Sequence, residues 1–513
     1  MKSEGKEEEF HKLYEEAVRS AKDEFGKTYP MVIGGTEVTS SEGVFEDTSP
    51  SNTKLVLGYF QKGSSEDAKR AIQSASAEFE TWSKVNYQER ARVFQKAAEL
   101  MSGKKYRLAA EMSFENGKNR FEALADVDEA IDFLRYYSDQ LVENEGFEIQ
   151  MGALQKGEHA KSVLRPYGVW SVIAPFNFPL AIATGMTTGA LITGNTVVLK
   201  PASDTPLMSY ELVRILENAG IPKGTLNYVT GPGATVGAEL IESKDVSGVV
   251  FTGSWDVGSR SIVDFEKESP RPFIAEMGGK NATIVTSNAD LEKSAEGVIR
   301  GAFGFGGQKC SACSRVYVQN NVKDQFVQKL VDRASKLKVG DPTQKNVFLG
   351  PLINEKAYKN YQRDIEEGRS NGKIVFGGEA LKTGDYEQGY YVKPTIIVDL
   401  PKESRLVKSE LFVPILVVQT FDKLDDAINE VNSVDYGLTG GIFSQDKGEI
   451  DTFFTKAQAG VLYANRTSGS TTGAVVGVQP FVGWKHSGSS GKGAGGPYYL
   501  QQFLREQSRT YYD

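Results

Sequence analysis

From about residue 168 onward the chain repeats one pattern: a short β-branched apolar run, a turn holding glycine or proline, then a helical stretch. The runs are VWSVIAP, TVVLKPA, LNYVTG and GVVFTGS, and SYELVRILENAG is one of the helical stretches between them. Strands buried on both faces read as continuous apolar runs, and the intervening helices supply the crossovers that parallel strands need. The pattern therefore predicts βαβ units on a parallel sheet, an α/β fold. A second series follows, with NATIVTS, the helix LEKSAEGVIRGAF, the strand SRVYVQ and the helix VKDQFVQKLVDRASKL. KIVFGG, YYVKPTIIV, PILVVQTF and TGGIFS complete it. The change from one series to the next falls near Glu276 to Lys280.

The front of the chain is read differently. Residues 10 to 25 place Phe10, Leu13, Tyr14, Ala17, Val18, Ala21 and Phe25 on one helical face. MVIGGTEV reads as strand, glycine turn and strand. Ser64 caps a helix with Ala68, Ile72, Ala75, Phe79 and Trp82 on one side, and Asn86 with Glu89 makes a capping-box start for the next. A third helix runs through ALADVDEAIDFLRYYSDQ. Pro166 to Leu199 holds no charged side chain, which invites a membrane reading. Its Pro175, Asn177, Pro179 and several Gly and Thr predict strand, turn and buried helix instead. The opening MKSEGKEEEF lacks the pattern of a signal peptide, so a cytoplasmic location is expected. A chain of 513 residues can bury a large core without disulfide or metal staples. Its net charge of −8 argues against a nucleic-acid partner.

Only two cysteines occur, Cys310 and Cys313, in C-x-x-C spacing. The glycine-rich run before them does not resemble the start of a thioredoxin unit. The three histidines, His11, His159 and His486, lie far apart along the chain, so no metal site is expected. In FGFGGQKCSACSR, Cys310 is either a thiolate nucleophile on a glycine turn or a buried structural cysteine. In PFIAEMGGKNA, Glu276 is either a general base with a raised pKa or a strand-end glutamate. In VIAPFNFPLAIA, Asn177 sits between stiffening prolines, placed either to donate to an oxyanion or to cap a turn. Lys200 ends the strand in VVLKPASDTP. GVVFTGSWDVGSR carries Gly253 to Gly258 from a strand into a helix. That setting suits a pyrophosphate, although the G-x-G-x-x-G pattern is missing.

Taken in order, N-F-P, K-P-A, F-T-G-S-x-x-V-G, E-x-G-G-K, G-Q-K-C and E-L-F resemble the aldehyde dehydrogenase family, from MVIGG to the C-terminus. The resemblance implies a Rossmann-like cofactor domain (1–145 and 169–277) and an α/β catalytic domain (278–477). An oligomerisation hairpin and C-terminal segment (146–168 and 478–513) complete it. It implies Cys310 as nucleophile, Glu276 as the base that activates water, and Asn177 with the Cys310 N–H as oxyanion hole. NAD or NADP is the implied cofactor, contacting Ile173, Ala174, Pro175, Phe176, Lys200, Ala202 and Ser203. Further contacts are Gly233, Gly237, Phe251, Thr252, Gly253, Ser254, Val257 and Gly278. Glu410 and Phe412 hold the nicotinamide ribose.

TTGAVVGVQPFVGW, GAGGPYYL, GQKCSA and ADVDEAIDF look more narrowly like the 1-pyrroline-5-carboxylate dehydrogenases of proline breakdown. That likeness implies a substrate carboxylate held by Ser311 and the backbone of Gly473 and Ala474. It also implies Phe178 and Phe481 on the aliphatic part and Glu129 at the amine. Two positions depart from the family pattern: Val413 and Val482 stand where glycine is usual, and these changes are expected to narrow the cofactor or the substrate pocket. Cys313 is read as structural. Ser203 replaces the glutamate common in NAD-preferring members, which leaves NADP open beside NAD. The alternatives are another small aldehyde such as succinate semialdehyde, a CoA-acylating member, and an inactive protein on this fold. The retained Glu276 disfavours the second; the nucleophile and base together disfavour the third. FEIQMGALQKGEHAKSVLRPYG resembles the oligomerisation hairpin, with the C-terminal residues pairing on it in a dimer-based homo-oligomer.

Overall fold

The apolar runs become strands because each is long enough for a sheet and too short and too β-branched for a helix. In the computed structural model, which describes residues 4–467 and 475–513, seven of them form one sheet. They are β1 (Met31–Ile33), β2 (Thr36–Val38), β3 (Val169–Ile173), β4 (Thr196–Lys200), β5 (Leu226–Tyr228), β6 (Gly248–Thr252) and β7 (Phe273–Glu276). Their order is β7-β6-β3-β4-β5-β1-β2. β3 to β7 pair in parallel, while β1 joins β5 and β2 antiparallel. All five residues of β4 are buried, as a parallel strand covered on both faces must be.

A second sheet holds β8 (Asn281–Val285), β9 (Cys313–Gln319), β10 (Lys373–Phe376), β11 (Thr395–Val398), β12 (Ile415–Phe421), β13 (Thr439–Phe443) and β14 (Val461–Ala464). Its order is β10-β11-β12-β9-β8-β13-β14, parallel except at β10–β11. The chain leaves the first sheet at Glu276 and enters the second at Asn281, the place where the sequence changes series.

Among the helices, α1 (Glu4–Lys22) begins earlier than its apolar stripe and stops before Phe25. That side chain instead meets the Phe114 ring edge-on at 5.0 Å. α2 (Ser65–Trp82) has the reciprocal capping box, Ser64 with Asp67. α3 (Tyr87–Gly103) is capped by Asn86, which accepts the Gln88 N–H. α4 (Lys105–Asn116) was not visible in the sequence: nine of its twelve residues are buried, so it has no polar stripe to mark it. α5 (Arg120–Glu143) follows, capped by Asn119.

The charge-free stretch folds as β3, a turn, α6 (Ala181–Ile192) and β4, and α7 (Pro206–Ala219) leads on to β5. α6 packs beside α5. A Cβ at its Gly185 or Gly189 would come within 3.1 Å of the Phe133 ring or 2.7 Å of the Phe503 ring, so glycine permits the close approach. No helix among the described residues is long and apolar enough to cross a membrane. Strands 148–150 and 158–166 form an antiparallel arm to which the C-terminal strand 504–512 adds, the pairing expected of the C-terminus.

Candidate active site

Strand order decides where a ligand can lie. From β3 the sheet grows through β4 and β5 on one side and through β6 and β7 on the other. The reversal leaves a crevice beyond the carboxyl ends of β3 and β6. Ile173 ends β3, with Ala174, Pro175 and Phe176 after it. Phe251 and Thr252 end β6, with Gly253 and Ser254 leading into α8 (Trp255–Glu266). Ser254 is in extended backbone and its side chain makes no capping bond. The first N–H groups of α8 have no intrahelical partner, as at any helix start. Val257 is exposed in that first turn.

Lys200 ends β4. Its ammonium is buried, donates to the Pro201 carbonyl at 3.0 Å, and is pushed down to about 8 by burial. Ala202 and the exposed Ser203 follow it. After β5 the chain makes a wide turn over Gly233–Gly237. The space that a Cβ would take at Gly233 is open, and at Gly237 it would face the Lys200 chain at 3.8 Å. From the far side, Glu410 accepts the Gly279 N–H at 2.9 Å, and burial raises its carboxyl to about 7. A Cβ on Gly278 would come within 2.4 Å of that carboxylate. Phe412, at φ 58°, meets the Phe176 ring edge-on at 5.8 Å. An open glycine backbone, a free helix N-terminus and a buried cation fit an anionic dinucleotide.

Beside this crevice lies a cavity of about 100 Å³. Six residues singled out in the sequence for catalysis or substrate binding line it: Cys310, Glu276, Phe178, Ser311, Phe481 and, from α5, Glu129. So do Phe133, Ile182, Met186, Lys309, Ala494 and Tyr499, which sequence reasoning missed. Phe133 carried a signal, since it lies four residues after Glu129 on the same helical face. Ala494 and Tyr499 lie in GAGGPYYL, a string already marked by its likeness but given no role of its own. The described residues hold no cluster of three or more ligands suited to a metal.

Cys310 is delivered by a tight turn after α9 (Leu291–Phe303). Phe305, Gly306 and Gly307 all have positive φ, at 48°, 63° and 66°. A Cβ on Gly307 would strike the Val413 carbonyl at 2.7 Å, so this turn requires its glycine. The thiol is partly exposed. Burial pushes its pKa up, with the Glu410 and Glu276 carboxyls adding to the rise, while the N–H groups of Ser311 and of Cys310 itself oppose it. Asn281 donates to the Cys310 carbonyl at 2.7 Å and to that of Ala312 at 2.9 Å. Cys313 is buried, with its sulfur 3.3 Å from the Thr283 hydroxyl, a structural setting.

Glu276 is the last residue of β7. The segment around Gly483 to Ser489 grips it: Met277 N–H donates to the Ser487 carbonyl at 2.9 Å and Ala275 N–H to the Ser489 hydroxyl at 2.8 Å. Its carboxyl accepts the Gly483 N–H, and burial raises its pKa well above the ordinary range. The Oε2 atom is buried without a hydrogen-bond partner.

Asn177 is buried in the turn between β3 and α6, flanked by Phe176 of the crevice and Phe178 of the cavity. The Lys118 ammonium lies 3.6 Å from the Phe178 ring centroid and 2.5 Å from Asp126 Oδ2. Asp126 Oδ1 accepts the Ala181 N–H, 2.7 Å away, at the start of α6. Glu129 is pushed up to about 8 by burial.

Gly473 and Ala474 lie outside the described residues. Neither Val413 nor Val482 lines the cavity around Cys310, while Val413 lines a small cleft with Gly279, Glu410 and Phe412 on the expected cofactor side. Val413 also packs into an apolar cluster with Leu352, Ile397 and Val417. The Val482 carbonyl faces Gly460, where a Cβ would lie 1.9 Å away.

The aldehyde dehydrogenase family profile matches residues 37–508. The 1-pyrroline-5-carboxylate dehydrogenase 1 of Halalkalibacterium halodurans is 41% identical over 505 residues, covering 97% of this chain and 95% of that protein. A solved Thermus 1-pyrroline-5-carboxylate dehydrogenase with bound NAD superposes with a TM-score of 0.93. It is 35% identical and covers 100% of this chain and 98% of its own. Proline utilization A from Bdellovibrio bacteriovorus gives the same TM-score at 36% identity and covers 98% of this chain, which spans only 52% of that longer protein. The chain belongs to the aldehyde dehydrogenase family.

Proposed function

We propose that the chain oxidises glutamate γ-semialdehyde, the open form of 1-pyrroline-5-carboxylate, to glutamate, with NAD or NADP as cofactor. The observation that carries the reading is the shared cavity. Cys310 and Glu276 line it together with Glu129, Phe178, Ser311 and Phe481, the residues whose chemistry suits an amino-acid aldehyde.

In this reading the Cys310 thiol gives its proton to solvent, and the thiolate sulfur adds to the aldehyde carbon as the C=O π pair moves onto the oxygen. The carbonyl oxygen becomes negative, and the Asn177 amide with the Cys310 N–H stabilises it. NAD or NADP, when bound, supplies the acceptor for the hydride that leaves this carbon. Lys200, Gly233, Ser254, Val257, Glu410 and Phe412 are the residues that would hold it. Loss of hydride leaves a thioester on Cys310. Glu276 then takes a proton from water as the water oxygen adds to the thioester carbon, and the thiolate leaves with the carboxylic product free. The unpartnered Glu276 Oε2 supports this role, because a base needs a lone pair that no other hydrogen bond occupies.

The substrate end is read in the same way. Ser311, with the backbone of Gly473 and Ala474, takes the α-carboxylate, and Glu129 takes the ammonium. Phe178 and Phe481 cover the methylenes. The same reading divides the chain into cofactor, catalytic and oligomerisation regions and makes it a cytoplasmic, dimer-based homo-oligomer joined through the arm. Exposed Ile149, Met151 and Leu154 on the arm support that last point. The test is a comparison of kcat/KM for glutamate γ-semialdehyde and succinate semialdehyde, which lacks the amine. Preference for the first is expected; equal or better use of the second overturns the substrate assignment.

A further inference from the structure

One carboxylate holds both ends of the turn that delivers the nucleophile. Glu122, in the first turn of α5, accepts the Phe305 N–H through Oε2 at 3.0 Å. Through Oε1 it accepts the Lys309 ammonium at 2.8 Å. Phe305 opens the strained stretch and Lys309 immediately precedes Cys310. Between them lie Gly306 and Gly307 at positive φ, spanned within the turn by the Gln308 N–H, which donates to the Phe305 carbonyl at 3.1 Å. Asn119 orients the carboxylate in turn. It donates to Glu122 Oε2 at 3.2 Å and to the Phe348 carbonyl at 2.7 Å. The fit is close: a Cβ on Gly304 would stand 3.0 Å from Glu122 Oε1 and 3.2 Å from the Lys309 ammonium.

We infer that Glu122 is a positioning residue for the reaction, setting the height and orientation of Cys310 through Lys309 and the Phe305 N–H. The inference rests on the reading of Cys310 as nucleophile. A non-glycine residue at φ 48° persists only where its surroundings over-determine it, and Glu122 supplies two of the fixing bonds from a different element. The ion pair also occupies Lys309, a cation that lines the cavity. α5 therefore serves the cavity along one stripe. Glu122 holds the nucleophile turn, Asp126 holds the turn before α6, and Glu129 lines the cavity, at spacings of four and three residues.

The test is steady-state kinetics of Glu122→Gln, Glu122→Ala, Lys309→Met and the double variants on the full-length enzyme, with 1-pyrroline-5-carboxylate and NAD. Thermal unfolding is measured beside them and Cys310→Ala serves as control. Glu122→Gln keeps an acceptor for Phe305 and loses the ionic partner; Glu122→Ala loses both. A displaced nucleophile predicts a fall in kcat of about tenfold for the glutamine variant and about a hundredfold for the alanine variant, with both KM values within about twofold. The Glu122→Gln and Lys309→Met effects should be non-additive, because the two residues act as one unit. Unchanged kcat, a loss that only tracks the folded fraction, or additive single effects would overturn the proposal. Activity surviving in Cys310→Ala would instead overturn the nucleophile reading on which it rests.

Discussion

The carboxyl of Glu276 is held by the backbone N–H of Gly483, a residue far along the chain; its Oε2 is buried without a partner, and Glu276 lines the cavity that Cys310 shares. A carboxyl so placed is anchored but not consumed, and burial raises its pKa and so favours its neutral form. It must ionise before it can activate water, so thioester hydrolysis should quicken as pH rises above the ordinary carboxylate range.

Glu276→Gln should therefore separate the two halves of the reaction. Stopped-flow measurement of reduced cofactor is expected to show a first turnover followed by a stall. Steady-state kcat should fall by roughly 10²–10⁴-fold, the usual contribution of a positioned base. A uniform loss that includes the first turnover would place Glu276 earlier in the sequence.

Asn177→Ala removes one donor from the turn between β3 and α6. The expected cost is about 2.7–4 kcal/mol of transition-state stabilisation, read as a fall in kcat with KM for the cofactor little changed. An equal change in KM and no change in kcat would make Asn177 a turn residue only.

Glu129 gives a pH prediction with a definite sign. Its carboxyl, pushed up to about 8 by burial, is neutral below that pH and charged above it. A substrate ammonium needs the charged form. KM for glutamate γ-semialdehyde should thus fall as pH rises through about 8, and Glu129→Gln should flatten this profile and raise KM by roughly tenfold, the worth of one hydrogen bond to a charged group. The profile measured for succinate semialdehyde, which has no amine, should lack this limb in both proteins.

Much of this was legible because it is local. The alternation of apolar runs and amphipathic helices is written residue by residue, and both sheets follow from it. Cys310, Glu276 and Asn177 each sit in a short string whose glycines and prolines announce a shaped turn. What could not be read is long-range. Nothing near Glu276 names Gly483, Ser487 or Ser489, and nothing near Cys310 names Glu122. α4 went unseen because it is buried all round, with Glu111, Ser113, Glu115 and Asn116 inside. The Lys118–Asp126 pair was missed for a similar reason: two charges near a helix start read as solvated surface until the fold buries both.

That pair yields a stability prediction. Asp126→Ala leaves the Lys118 ammonium buried and unpaired and removes the acceptor at the start of α6. The expected loss is about 3–5 kcal/mol, read as a lower denaturant midpoint. Replacing both, Lys118→Met with Asp126→Leu, should recover part of it. No change on Asp126→Ala would mean that the pair is hydrated.

Ser203 bears on cofactor choice. It is exposed just beyond Lys200, where a carboxylate would repel a 2′-phosphate. Ser203→Glu should lower kcat/KM for NADP roughly tenfold relative to NAD, a modest screened charge effect. An unchanged ratio would place the ribose elsewhere.

The covalent step is the centre of the account, and it can be observed. Glu276→Gln enzyme mixed with 1-pyrroline-5-carboxylate and NAD should accumulate an acyl adduct, found by mass spectrometry of digested protein on the peptide that contains Cys310. The adduct should be absent when NAD is omitted. An adduct on another residue, or full turnover with Cys310 replaced by alanine, would contradict the mechanism.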